Sequence, residues 1–337
     1  MKIVVFGPDR RVGAQWDGQV VDLNAAFVRQ RRDRGRAVTA DEAAALVPAD
    51  LRRFIAAGHP ALERAAEALE HVRGRDPEGI VHRSDAVRLH APWAPYARIA
   101  CAGGNYAEHL AGAQAALTGR SSNVEEVRRE SRAAGPWGFF KVLDHVLGPG
   151  DEVTYPARAR LFDYEGEVAV VTGRPAKDVH AEHAGEVIWG VTLVNDWSIR
   201  NDMGQPRAMS FNLPKNFDGA ASLGPAIVAG ELDPQNVSVE VRVNGQVRQS
   251  FCSRDMTFSF AEYLEHLTRD LTFQPGDVLA GGTGPGTAMD VSRPGPDGSM
   301  PGDLFLAPGD VVEVSSPQIG VLRNRVVAGP GPRASGS

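Results

Sequence analysis

Cysteine is scarce: Cys101 and Cys252 are the whole supply in 337 residues, and they lie far apart. A disulfide framework and a thiolate zinc site are both excluded, since no Cys/His group at zinc spacing accompanies them. Two lone thiols fit a reducing compartment. Long apolar runs and a charged-then-apolar leader are also missing, so the expectation is a cytoplasmic protein that neither spans nor anchors to a membrane. Acids outnumber bases, 42 to 36, for a net charge of −6. No Lys- or Arg-rich face with interleaved aromatics is visible, which argues against nucleic-acid binding. The basic run Arg29–Arg36 sits among acids and helix formers and reads as a solvated helix end. The Gly281–Gly286 loop lacks a following Lys-Ser/Thr, so a nucleotide-phosphate cradle is a poor reading. There is no internal repeat.

Glycine and proline are abundant, 37 and 23 residues, and they punctuate short apolar runs. That pattern predicts a β-rich body with many turns. Residues 1–23 read as a hairpin meander turning at Gly7-Pro8 and Asp17-Gly18. Residues 24–74 read as helical, broken near Pro48 and Gly58-His59-Pro60. Linker signals at 76–79 and 91–95 predict a small N-terminal α/β domain over 1–90 and a main domain over 91–328. β-rich runs occur at 165–172, 186–195, 225–229, 237–243 and 311–314, and an amphipathic helix at 260–268. The tail 329–337 has nothing to bury and is expected to be disordered.

Within Leu161–Thr172, Glu165 and Glu167 are two residues apart on a strand, so both carboxylates point to one face. The flanking apolar residues predict burial on both faces. Two like charges there cost several kcal/mol unless a cation compensates them. Asp196, at the end of the apolar run 186–195, supplies a third carboxylate; alone it would equally suit a helix cap. Three carboxylates suit Mg²⁺ or Mn²⁺.

The sequence resembles the fumarylacetoacetate hydrolase family from about Arg88 to Val327. The resemblance rests on Ile99–His109, Phe139–Lys141 with Gly148–Asp151, Asp163–Val168, Asn195–Arg200, Lys215–Pro225 and Leu271–Gly286, in the family's order. The opening, Met1–Phe6 with Val20–Leu23, is similar to the small N-terminal unit of many members. The resemblance implies a mainly β (α+β) fold, a mixed β-sandwich roll with its site at the open mouth, and a homodimer for which Trp197 and Phe211 would suit the interface. It implies Glu165, Glu167 and Asp196 as ligands of Mg²⁺ or Mn²⁺. It also implies His109 as general base, Lys141 and Lys215 as catalytic lysines near substrate or carboxylate, and Thr283 as a substrate hydrogen-bonder. Asn105 and Tyr106 fall in the His109 motif and are assigned to substrate binding. Arg200 and Gln249 are weaker matches.

One departure stands out. In shorter hydrolytic members a Glu three residues after the His orients it, and here that position is Gly112. The segment 112–138 reads as a mobile lid with a short helix, from which Glu125 or Glu126 would replace the missing acid; Glu108 would point elsewhere. The insert 290–304 reads either as a border of the mouth or, by preference, as a plain surface loop. The resulting expectation is a Mg²⁺-dependent hydrolase cleaving a C–C bond of an anionic 2,4-dioxo acid. Its rivals are a tautomerase, isomerase, hydratase or decarboxylase of a 2-oxo acid on the same cradle, which Gly112 favours, and a ligand-holding protein that has lost its base.

Overall fold

The computed structural model describes residues 1–75, 79–201, 212–295 and 299–329. The chain opens with strands β1 (Lys2–Phe6), β2 (Arg11–Trp16) and β3 (Gln19–Asp22) and four helices, α1 (Leu23–Asp33), α2 (Ala40–Leu46), α3 (Leu51–Ala56) and α4 (Gly58–Val72). Side chains set the helix starts: Asp22 caps α1, and Thr39 with Glu42 closes a reciprocal capping box on α2. Short strands β4 (Val81–Arg83) and β5 (Leu89–His90) lead into β6 (Ile99–Ala102), helices α5 (Ala107–Thr118) and α6 (Val124–Ala134), and β7 (Gly138–Lys141). Then follow β8 (Glu152–Thr154), β9 (Phe162–Asp163), β10 (Gly166–Thr172), β11 (Ile188–Asp196), β12 (Ser198–Ile199), α7 (Asn212–Lys215) and β13 (Ala221–Ala229). The last part holds β14 (Ser238–Val243), β15 (Gln246–Cys252), α8 (Phe260–Leu267), β16 (Val278–Thr283), α9 (Ala288–Val291), β17 (Val311–Ser316) and β18 (Gly320–Val327).

Among the described residues, an 11-stranded mixed sheet runs β4-β3-β2-β1-β13-β11-β10-β16-β6-β7, with β5 on β1. A 5-stranded sheet, β15-β14-β17-β18-β8, packs across it. The fold is thus predominantly β with added helices. The N-terminal meander joins the large sheet through β1, which pairs with β13.

Two cores explain why the centre of the large sheet is dry on both faces. On one face, Val168, Val170 and Leu193 meet Val241, Val312 and Val314 of the second sheet in one apolar cluster. On the other, Ala169, Val171, Val194 and Ile227 meet Leu23, Phe27, Phe54 and Ile55 of the N-terminal helices. Every residue of β10 is buried. The expected two-faced burial of this strand therefore holds, and the strand runs are within a few residues of their expected limits.

Three expectations fail. Trp197 is fully buried, stacked on Phe162 with its indole N–H donating to Ser222 Oγ, and so belongs to the core instead of an interface. Phe211 lies outside the described residues, as do 330–337 of the expected tail. The segment 112–138 holds the expected short helix, α6, but its first part continues α5, which runs from Ala107 to Thr118 because a run of alanines outweighs the helix cost of one glycine. Asn123 then caps α6. Asp290, expected in a surface loop, is buried in α9.

Gly166, between the two glutamates, faces the second sheet. A Cβ there would stand 2.3 Å from Val241 Cγ2 and 3.1 Å from Val314 Cγ1. The absent side chain lets the sheets close over the glutamate-bearing strand. Gly166→Ala is expected to destabilise the fold by about 1–3 kcal/mol through overpacking, read as a lower midpoint in thermal or urea unfolding.

Candidate metal and catalytic site

Strand pairing assembles the acids. β10 and β11 run antiparallel with Gly166 opposite Asn195, which sets Asp196 beside Glu165. The Asp196 amide donates to the Glu165 carbonyl at 2.9 Å, and the Glu165 amide donates to Asn195 Oδ1 at 2.9 Å. On the other side β16 places Thr283 opposite Glu167. One oxygen from each of Glu165, Glu167 and Asp196 lies within 4.8 Å of the others, and all three residues are buried.

Cations already balance much of this charge. Lys215 Nζ donates to Glu165 Oε2 at 2.5 Å and to Asp196 Oδ2 at 2.8 Å. Lys141 Nζ lies 2.6 Å from Asp196 Oδ1 and donates to the Lys215 and Ala220 carbonyls at 2.8 and 2.7 Å. Arg200 bridges Glu165 and Asp163, its Nε 3.0 Å from Asp163 Oδ2. Burial alone would raise Glu165, but Lys215 and Arg200 outweigh it and hold the carboxyl below the usual range. Glu167 shifts the other way: burial and the charges of Asp196 and Glu165 push it well up, and the Lys215 charge and the Gly282 amide at 3.0 Å only partly offset them. For Lys215, burial lowers and the Asp196 and Glu165 charges raise, with a net rise that keeps the ammonium charged.

This arrangement fits a hard divalent cation. The donors are carboxylate oxygens, the Lys215 ammonium already occupies a cation's place between two of them, and Glu167 is the acid whose charge is left uncompensated. Glu165, Glu167 and Asp196 would hold the ion.

A cavity of about 80 Å³ opens on this cradle, lined by all three acids with His109, Lys215, Arg200 and Thr283. Its apolar wall comes from Leu110, Ala113, Trp137, Phe139 and Met289. Thr283 Oγ1 donates to the Gly166 carbonyl at 2.8 Å and accepts from Gln249 Nε2 at 2.8 Å. Gln249 thereby ties the second sheet to the mouth of the site. Three expected residues do not reach the cavity. Lys141 stands behind Asp196. Asn105 donates to the Phe258 and Gly281 carbonyls at 3.0 and 2.9 Å, clamping two loops. Tyr106 packs edge-on against Phe251.

The acid that orients His109 comes from an unexpected place. His109 Nδ1 is 2.9 Å from Asp290 Oδ2. A carboxylate only accepts, so Nδ1 carries the hydrogen and Nε2 is left as a base. Glu125 and Glu126 do not fill this role; they pair with Arg128 and Arg129 on the surface of α6. Gly112 explains the substitution. A Cβ at 112 would lie 2.6 Å from Asp290 Cβ, so the bare backbone of α5 is the space that α9 occupies. Asp163 secures α9 from below, accepting from the Ala288 and Met289 amides at 2.9 and 3.1 Å. The signal for Asp290 was a Thr287-x-x-Asp290 cap, in which Thr287 caps the helix through the Asp290 amide.

The roll and its cradle define a class, a β-roll protein with three buried carboxylates gathered at a cavity. Residues 98–327 match the family described as fumarylacetoacetate (FAA) hydrolase C-terminal, and the chain belongs to the fumarylacetoacetate hydrolase family. It is 32% identical over 286 residues to the oxaloacetate tautomerase YisK of Bacillus subtilis (strain 168), covering 83% of this chain and 87% of that one. A fumarylacetoacetate hydrolase from psychrophilic Exiguobacterium antarcticum superposes with a TM-score of 0.71 at 27% identity, over 97% of this chain and 99% of that one. A 5-carboxymethyl-2-hydroxymuconate delta-isomerase from Mycobacterium smegmatis superposes with a TM-score of 0.65 at 26% identity, over 97% and 100%. Among the described residues no helix is long and apolar enough to cross a membrane.

A divalent ion must displace the proton that burial favours on Glu167. Its apparent affinity for Mg²⁺ is therefore expected to rise with pH, with about one proton released per ion. Calorimetric titration in buffers of different ionisation enthalpy measures the release, and Glu167→Gln should weaken binding and abolish the proton release.

Proposed function

We propose that the protein is a keto–enol tautomerase of a compact 2-oxo dicarboxylic acid of the oxaloacetate type, working with Mg²⁺ or Mn²⁺. The observation that carries this reading is the His109–Asp290 pair facing the carboxylate cradle across a cavity of only about 80 Å³. That space corresponds to roughly five to eight waters, which suits a short acid better than an extended dioxo acid. The relative named an oxaloacetate tautomerase and the structure named an isomerase support the same choice over C–C cleavage.

When bound, the divalent ion would supply Lewis acidity that favours the enolate over the keto form. The chain's own residues do the rest. His109 Nε2 takes the proton from C3, and Asp290 stabilises the imidazolium and holds the ring in one tautomer. Lys215, kept charged by Glu165 and Asp196, stabilises negative charge as it builds on the oxygen. The enol forms when that oxygen takes the proton held by the His109 imidazolium, and the reverse path returns it to C3, so no atom is lost from the substrate. Leu110, Phe139 and Met289 keep water from the carbanion face.

Hydrolysis of a short 2,4-dioxo acid is the second reading, because the same histidine can take a proton from water. Following enol absorbance while identifying products separates the two. Loss of absorbance with the four-carbon acid intact supports tautomerisation. With a short 2,4-dioxo acid such as acetylpyruvate as substrate, water uptake yielding acetate plus pyruvate would replace it with hydrolysis. His109→Gln is expected to lower kcat by about 10²–10⁴. Asp290→Asn should cost less, mainly in kcat, and leave metal affinity unchanged.

A further inference from the structure

A second cavity of about 460 Å³ lies beyond the first, lined by Ala116, Leu117, Arg160, Met300 and others. Met289 and Arg200 line both cavities, so their side chains form the wall between them. The two halves of that wall differ in kind. Arg200 is buried and held by Glu165 and Asp163. Met289 is buried too, and its backbone is tied to Asp163. Its side chain, however, is an unbranched thioether, with rotatable bonds that adapt to the space available.

We propose that Met289 sets substrate length: in its closed position it confines the acid to the inner cavity, and removing it joins that cavity to the outer chamber. The proposal deepens the reading of the site as one for compact oxo acids and rests on it only for the name of the natural substrate. An aliphatic tail that continued past C4 would meet the Met289 thioether. With the thioether gone, the tail would pass through the volume that side chain vacates into the chamber beside Leu117.

The test is binding of pyruvate, 2-oxobutyrate, 2-oxohexanoate and 2-oxooctanoate, measured by calorimetry on the full chain in the presence of Mg²⁺. For the unaltered protein, the eight-carbon acid should bind at least about tenfold more weakly than the four-carbon acid, a difference near 1.4 kcal/mol. In Met289→Ala the ratio should collapse to about one or invert, since a tail that finds apolar room gains from burial. Met289→Val keeps more of the side chain and should fall between; it also serves if the alanine variant does not fold. Adding Leu117→Trp, at a half-exposed position on α5, should refill the chamber and restore the discrimination. An unchanged ratio in both Met289 variants, or equal binding of all lengths by the unaltered protein, would overturn the proposal. Oxaloacetate tautomerisation is assayed in parallel. Its absence together with a collapsed ratio would remove the proposed activity and leave the gate standing.

Discussion

The structure depends on a balance of buried charge. Asp163, Glu165, Glu167 and Asp196 are all buried together, and the buried cations Lys141, Lys215 and Arg200 stand against them. Any of these ions alone would cost several kcal/mol in so dry a place. Asp163, Glu165 and Asp196 survive because a partner of opposite sign sits within hydrogen-bond distance. Glu167, the acid with no cation of its own, is the one pushed toward its neutral form. The cluster is thus near neutrality without a metal and is short of negative charge with one, which makes it receptive to an anionic acid. Ion binding and substrate binding draw on the same balance.

The balance holds because the acids are set in a framework that cannot relax around them. β10 is gripped between β11 and β16 and covered by a second sheet on one face and by helices on the other. Water has little access, and the carboxylates have few alternative positions. Gly166 allows the second sheet to come that close, and Gln249 fastens that sheet to Thr283 and to the Gly166 amide. A preorganised cluster of this kind costs stability and supplies an electrostatic environment that need not rearrange during the reaction.

Much of this was legible in the residues. The E-x-E alternation and the apolar residues around it pointed to a two-faced buried strand, and an acid ending the next apolar run pointed to its neighbour. Periods and turn residues located most strands. What stayed hidden depends on distance in sequence. Trp197, as a large aromatic, suited an interface, yet it stacks on Phe162 from a distant strand. Asn105 and Tyr106 share a motif with His109 but sit on a turn that sends their side chains to other partners. Asp290 was overlooked because its role arises only where α9 crosses α5, and no local pattern reports that crossing.

The crossing of α5 and α9 has a consequence for how such chains are compared. Compared position by position, this sequence lacks the histidine's acidic partner, since Gly112 stands where that acid is expected. In space the carboxylate is present, delivered by a helix nearly two hundred residues downstream. The two positions form a steric couple: a side chain at 112 and the acid at 290 compete for one volume. The acid at 290 can keep its place only while the backbone at 112 stays bare. A chain that carried a bulky residue at the first position and kept the second would have its base pushed out of line while each residue, taken singly, looked intact.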